Sequence, residues 1–302
     1  MEHPLIELSG LGHRYGNVVA LDNLDVNVPP GSIGLVGANG AGKSTIIRIL
    51  LGILRPTTGT VRVLGHDIPR ELIDMRARVG YMAEGSTLPL DQTAADFMVY
   101  AAELAGIPTK AAKQRASDVL TLVGLHEERF RALGDFSTGM KQRAMLAQAI
   151  VHDPDLVFLD EPTAGLDPEG RDEMLHLITR LGTFGIHVLV SSHVLSDIER
   201  TCDWVVMLDG GKLLRNGPID RIVSSNTLEL EVLGDSQAVA QALRTRGAEV
   251  ETQPTSLLVT SPANTDTDVL IRDALADTHT GMRRLTAKQT SLEDLFLESG
   301  DA

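Results

Sequence analysis

Eight consecutive residues of Gly37-Ala38-Asn39-Gly40-Ala41-Gly42-Lys43-Ser44-Thr45, from Gly37 to Ser44, match the pattern GxxxxGK[ST]. The pattern has meaning only where a buried strand leads into it and a helix leads out. Both conditions hold in this sequence. Residues 33–36 are a short apolar run, and residues 43–54 carry a helical pattern that Pro56 and Gly59 bring to an end. Glycines in such a loop let backbone N–H groups converge on phosphates with no Cβ between, and the helix N-terminus adds partial positive charge. Lys43 is then expected to reach the β- and γ-phosphates, and the Ser44 hydroxyl to ligate Mg²⁺. The alternative, a glycine-rich turn matching by chance, has to explain the strand and the helix as well.

A phosphate cradle needs an acid for magnesium and a group to activate water. Leu156-Val157-Phe158-Leu159-Asp160-Glu161 supplies two acids at the end of a continuous apolar run. In a parallel sheet that end opens on the ligand crevice. Asp160 is expected to hold Mg²⁺ through water, and Glu161 to orient or deprotonate the attacking water.

Around these two segments, from residue 5 to about 217, short β-branched runs alternate with longer helical patterns, the rhythm of an α/β fold on a parallel sheet. Strands are predicted at 79–82, 156–159 and 186–190, and helices at 140–152 and 169–181. Residues 204–208 and 212–214, joined through Asp209-Gly210-Gly211, read as a hairpin. Two alanine-rich helices, at 93–105 and 110–123, lie where no strand signal intervenes, so about residues 86–151 read as a helical insertion. Past residue 225 the pattern changes: extended stretches at 227–232 and 256–260 alternate with helices at 237–246 and 268–276. The chain thus divides into residues 1–225 and a small α+β domain at 226–302, which carries −7 of the net charge of −14.

Further segments now fall into a recognisable order. Tyr15 stands in His13-Arg14-Tyr15-Gly16, Glu84 closes Gly80-Tyr81-Met82-Ala83-Glu84, and Ser137-Thr138-Gly139-Met140 precedes a helix. Ala164-Gly165-Leu166-Asp167 follows the acids, and His193 closes Val190-Ser191-Ser192-His193. Together with the cradle and the acids these resemble the ATP-binding-cassette family over about residues 5–217, and the spelling and the ending at 291–297 resemble the antibiotic- and multidrug-exporter branch. The resemblance implies a P-loop NTPase cassette: a RecA-like parallel-sheet core with N-terminal antiparallel strands and a helical subdomain. It implies that Tyr15 stacks on adenine and that Gly37, Asn39, Gly40, Ala41, Gly42, Lys43, Ser44 and Thr45 cradle the phosphates. Glu84 takes the Q-loop position beside Mg²⁺, Asp167 the D-loop, and His193 the switch histidine. Ser137 and the N–H of Gly139 would hold the γ-phosphate of a nucleotide bound to another copy. One cradle and one signature per chain then call for a head-to-tail pair burying two ATP molecules.

Two spellings depart from the family's commonest form. The signature reads Phe136-Ser137-Thr138-Gly139-Met140 where LSGGQ is usual, keeping the phosphate-facing Ser and second Gly. Glu84 replaces the usual Gln and adds negative charge beside Asp160 and Glu161.

Composition narrows the partners. An excess of 41 acidic over 27 basic residues weighs against a nucleic-acid role, and Cys202, the only cysteine, excludes an internal disulfide. No apolar stretch nears the roughly 18–20 residues a membrane span needs, and residues 1–10 carry no secretory pattern. The expectation is a cytosolic chain held at the cytoplasmic face of the membrane by separately encoded permease subunits, hydrolysing ATP to drive export. Two other classes stay open at this stage. A cassette ATPase of DNA repair or the ribosome usually carries two cassettes or a coiled coil and a basic surface. A regulatory module that has lost hydrolysis would not need Lys43, Asp160, Glu161 and His193 all intact.

Overall fold

The structure, a computed structural model, describes residues 4–85, 88–260, 267–289 and 292. Its contacts group into two units, Met1–Ile219 and Asp220–Ala302.

The first unit opens with two long strands, β1 (Ile6–Tyr15) and β2 (Val18–Val28), followed by β3 (Ser32–Val36) and helix α1 (Lys43–Leu50). Next come β4 (Thr58–Val63), β5 (His66–Ile68), α2 (Leu72–Ala77) and β6 (Val79–Met82). A helical stretch holds α3 (Ala94–Leu104), α4 (Thr109–Leu122) and α5 (Thr138–Ile150). The chain then alternates again through β7 (Leu156–Asp160), α6 (Pro168–Thr183), β8 (His187–Ser192), α7 (Leu195–Thr201), β9 (Trp204–Asp209) and β10 (Lys212–Pro218).

These strands build two sheets. One is antiparallel, in the order β2-β1-β4-β5. The other runs β10-β9-β3-β8-β7-β6, parallel except for β10 at its edge. Every residue of β7 is buried, which is why its sequence is a continuous apolar run without alternation. Helix α1 packs between the sheets: Ile46, Ile47, Ile49 and Leu50 share one core with Leu8, Leu24 and Val61 on one side and Phe158 and Leu189 on the other. The register carries the consequence for function. Val36 pairs with Ser192, Asp160 with Ser191, and Met82 with Leu159, so four parallel strands end level at one edge. Whatever follows those ends is delivered to a single crevice.

Where the sequence expectation differs, local physics explains it. The helix from Lys43 ends at Leu50 and not at residue 54. Gly52 adopts the left-handed region (φ 65°), and the N–H groups of Gly52 and Ile53 close on the carbonyls of Ile49 and Arg48, a Schellman ending. The hairpin after β9 is longer on its return, reaching Pro218, and turns through Gly210 and Gly211, both at positive φ. Strands β1 and β2 are the N-terminal antiparallel strands that the family resemblance implies, while the short helices α2 and α7 were not placed from the sequence.

The second unit comprises α8 (Ile219–Val223, whose first residue lies in the first unit), β11 (Ser224–Leu233), α9 (Ser236–Thr245), β12 (Glu249–Thr252), β13 (Leu257–Thr260), α10 (Thr267–Asp277) and β14 (Gly281–Gln289). Its sheet runs β12-β13-β11-β14, all antiparallel. That order is the split β-α-β arrangement repeated, with a core of Leu230, Leu257 and Val259 under Val239, Leu243, Ile271 and Ala274. The ending at 291–297 lies outside the described residues except Leu292, which is buried.

Candidate functional site

The cradle begins where β3 ends. Gly42 caps α1 in the left-handed region (φ 105°), and a Cβ there would come within 2.6 Å of Leu21 and 2.9 Å of the Ala20 carbonyl. With no side chain capping α1, its first N–H groups are left to an external acceptor, the arrangement that suits an anion. Lys43 lies along this surface with 7 % exposure. Its ammonium donates to the carbonyls of Gly37 at 2.6 Å and Ala38 at 3.3 Å, and stands 3.7 Å from Glu161 Oε1. The cleft above has a volume of about 420 Å³. Its lining joins Ala38, Asn39, Gly40, Gly42, Lys43, Ser44 and Thr45 to Ala20, Glu84, Glu161, Ala164 and His193.

Both acids stand at the end of β7, in different states. Asp160 is 4 % exposed, and no hydrogen bond of ordinary geometry reaches its Oδ1. Burial is the main cause that holds its carboxyl above the usual range, with Glu84 and Glu161 pushing the same way and the nearby hydroxyls of Ser191 and Ser44 opposing. A buried carboxylate short of partners wants a cation. Among the described residues no group of three or more His, Cys, Asp or Glu could hold a metal alone. Asp160 with the Ser44 hydroxyl therefore suits a hard ion whose remaining ligands are phosphate and water oxygens, which describes Mg²⁺.

Glu161 is held from two sides. Its backbone, at positive φ (50°), donates its N–H to the Ser191 carbonyl at 3.0 Å. Its Oε2 lies 2.8 Å from His193 Nδ1. A carboxylate oxygen accepts, so the ring form that makes this bond carries its hydrogen on Nδ1, and His193 also lines the cleft. Oε1 is left to face Lys43 and the cleft.

The remaining expected residues are distributed differently. Tyr15 sits at the end of β1, half exposed, its ring edge-on to His13 with centroids 4.6 Å apart. Ser137 caps α5, accepting from the Met140 N–H at 3.3 Å, which keeps its own hydroxyl proton free to donate. Gly139 is the second residue of α5, where a helix N–H has no intrahelical acceptor, and a Cβ there would meet only Leu166, at 3.8 Å. Asp167 caps α6 by accepting from Gly170 N–H at 3.0 Å. None of these four lines the cleft, nor do Gly37, Ala41 and the buried Asp160; it gathers the rest of the cradle with Glu84, Glu161 and His193.

Comparison with known proteins decides the family. The ABC transporter family model matches residues 21–164. The daunorubicin/doxorubicin resistance ATP-binding protein DrrA of Streptomyces peucetius is 36 % identical over 305 residues, 97 % of this chain and 91 % of that protein. The chain is an ABC transporter ATP-binding subunit. It is also similar to the bacitracin transport ATP-binding protein BcrA of Bacillus licheniformis, 38 % identical over 78 % of this chain and 77 % of that one. Among solved structures, cbiO1 from Clostridium perfringens, part of the complex cbiONQ, has a TM-score of 0.68 at 24 % identity, covering 73 % of this chain and 91 % of its own, and bears on the fold. An ABC subunit of this kind binds and hydrolyses ATP, so the geometry above is that of an ATPase.

Sequence reasoning did not assign Ala20 or Ala164 to the cleft, and did not give the pairing of Ser191 with Asp160. Ala20 and Ala164 line it through backbone placement alone, and Ser191 meets Asp160 because β8 pairs in register with β7. The serine was legible, as part of the segment ending at His193, but not its pairing.

Proposed function

We propose that this ABC subunit completes its ATP site with a second ATP-binding subunit and couples hydrolysis to export through separately encoded permease subunits at the cytoplasmic face of the membrane. The observation that carries this reading is the split just described: the cradle and Glu161 share one cleft, with Asp160 buried at the end of β7, while Ser137 and Gly139 are not part of its lining. Only a second copy or close relative can bring those donors to the γ-phosphate.

The geometry of the cleft supports the following roles, and the family resemblance supplies those of Tyr15 and Asp167. The first N–H groups of α1 and the Lys43 ammonium bind the phosphates, exchanging the Gly37 and Ala38 carbonyls for stronger anionic acceptors. Ser44, Asp160 and, from the exposed rim, Glu84 would hold Mg²⁺, which when bound screens the charge of the β- and γ-phosphates. Glu161 orients water through Oε1 and takes its proton as the γ-phosphoryl leaves ADP, while His193 fixes Oε2. Tyr15 offers a ring face to adenine, and the Asp167 loop, set by the α6 cap, adjoins the signature of its own chain.

A groove supports the permease contact. Its volume is about 570 Å³, and Tyr100 and Leu104 of α3 and Ile73 of α2 leave it with an apolar, exposed rim. Tyr81 and His152 form part of its wall. Among the described residues no helix is long and apolar enough to cross a membrane. The names of DrrA and BcrA place drug resistance and bacitracin transport on the relatives, and the export direction proposed here follows them. Isolation of the chain from its native membrane tests the assembly. Co-purification of a multi-span protein, lost on Leu104→Asp, is the expected result. Stoichiometric recovery of the chain free of any membrane protein would contradict it.

A further inference from the structure

Asp197, on α7, is 1 % exposed, and none of the roles above uses it. Its carboxylate is shared between two other segments. Oδ2 accepts from Thr163 Oγ1 at 2.9 Å, and Oδ1 accepts from Arg171 Nε at 2.7 Å. The same guanidinium reaches Ser196 Oγ at 3.4 Å. Thr163 lies two residues after Glu161, Arg171 lies four after Asp167, and Asp197 itself lies four after His193. The Arg171 N–H closes on the Asp167 carbonyl at 2.9 Å, and His193 returns to Glu161 at 2.8 Å. The connections form a ring. It runs from Glu161 through Pro162 to Thr163, across to Asp197, back along the chain to His193, and over to Glu161 again, with Arg171 tying in the Asp167 loop.

Ionic groups buried this deeply gain little net stability over well-packed apolar ones, so stability alone does not account for a carboxylate at this point. What a carboxylate supplies here is two directed acceptors that fix three backbone segments at once.

We infer that Asp197 is a positioning residue for hydrolysis: with Thr163 and Arg171 it sets the registry among Glu161, His193 and the Asp167 loop. The inference rests on the roles proposed above for Glu161 and His193. Nucleotide binding depends less on the ring, because the Lys43 ammonium is held chiefly by the cradle's own carbonyls, Gly37 at 2.6 Å and Ala38 at 3.3 Å, with Glu161 Oε1 farther off at 3.7 Å. Loosening the ring displaces the water-orienting carboxylate by a fraction of an ångström to an ångström, a change that costs turnover and spares affinity.

The test compares the full chain, with permease subunits wherever turnover requires them, as wild type, Thr163→Val, Thr163→Ser, Asp197→Asn and Glu161→Gln. The readouts are kcat and KM for ATP and equilibrium binding of a fluorescent ATP analogue. Thr163→Val keeps shape and loses the hydroxyl, and Thr163→Ser keeps the hydroxyl and loses a methyl. The expected result is a fall in kcat of roughly 10- to 100-fold for Thr163→Val and Asp197→Asn, with KM and analogue affinity within about twofold. Thr163→Ser should recover kcat to within about threefold of wild type, and the Thr163→Val/Asp197→Asn double variant should be no slower than the slower single. A packing role would order the pair the other way, with Val tolerated better than Ser. Should Asp197→Asn not fold, the Thr163 pair decides alone. The inference is overturned if Thr163→Val turns over at the wild-type rate, if Thr163→Ser is as slow as Thr163→Val, or if affinity falls in step with kcat. Undiminished turnover in Glu161→Gln would instead overturn the role of Glu161, a distinct outcome from normal turnover in Thr163→Val beside a silent Glu161→Gln.

Discussion

At the scale of single residues the site works by contrast between neighbours. Asp160 and Glu161 are adjacent, yet one is sunk at the sheet edge without full hydrogen bonding and the other is braced by His193 and the Ser191 carbonyl. The raised carboxyl of Asp160 has a thermodynamic sign. A group whose pKa is higher folded than unfolded contributes stability that is present below the unfolded pKa and is lost as pH rises through the folded value. The metal-free chain therefore pays for an ionised Asp160 at neutral pH. Asp160→Asn should raise the metal-free Tm at pH 7, with the gain vanishing below the carboxylate range, and should abolish the extra stabilisation that Mg²⁺ adds to ATP. Thermal melts across pH, with and without the cation, check both parts. A lower Tm for Asp160→Asn at pH 7 without metal would contradict this assignment. Lys43 offers a second prediction at this scale. Its charge-assisted contacts with phosphate contribute about 1.5–3 kcal/mol, so Lys43→Ala should weaken ATP roughly 10- to 100-fold by equilibrium titration.

Elements show which parts of the site could be read in advance. The strands β3, β7 and β8 were legible because burial on both faces leaves continuous apolar runs, and the motifs at their ends then fell at one edge. β1 and β2 were read only through the family resemblance, although residues 24–28 do alternate, with Leu24, Val26 and Val28 buried and Asp25 and Asn27 exposed; it is over residues 18–23, where the pairing with β1 shifts register, that the alternation breaks. α7 has only seven residues and is held by packing against β3 and by Asp197, neither visible in local pattern. β14 went unseen for a related reason: at the edge of its sheet it exposes Met282, Arg283 and Arg284. The roles of Ser137 and Gly139 were suggested by resemblance alone, since spacing cannot say that their helix starts outside the cleft. Two measurements belong here. Phe158, fully buried in β7 beneath the site, should cost about 3–5 kcal/mol on replacement by Ala, read by denaturant unfolding. Ser137→Ala removes the α5 cap for about 1 kcal/mol, and should reduce turnover far more than that loss of stability explains.

For the molecule as a whole, the two units differ in what can be said of their work. The first holds the complete cradle, both acids and the groove beside α3. The second repeats a split β-α-β unit around its own small core, an architecture that serves many purposes and by itself names none. Acidity is spread over both parts of the sequence, so general attraction to anionic lipid is disfavoured, which suits the proposed docking on a specific membrane protein. In the proposed function ATP acts at the level of assembly, drawing the signature of one chain onto the nucleotide of another.

Sedimentation velocity of the Glu161→Gln chain, with Mg²⁺ and ATP against Mg²⁺ and ADP, examines that step most directly. Conversion from monomer to dimer with ATP, reversed by ADP and abolished by adding Ser137→Ala, is the predicted result. A chain that binds ATP stoichiometrically and yet remains monomeric, alone and with its permease subunits, would contradict it.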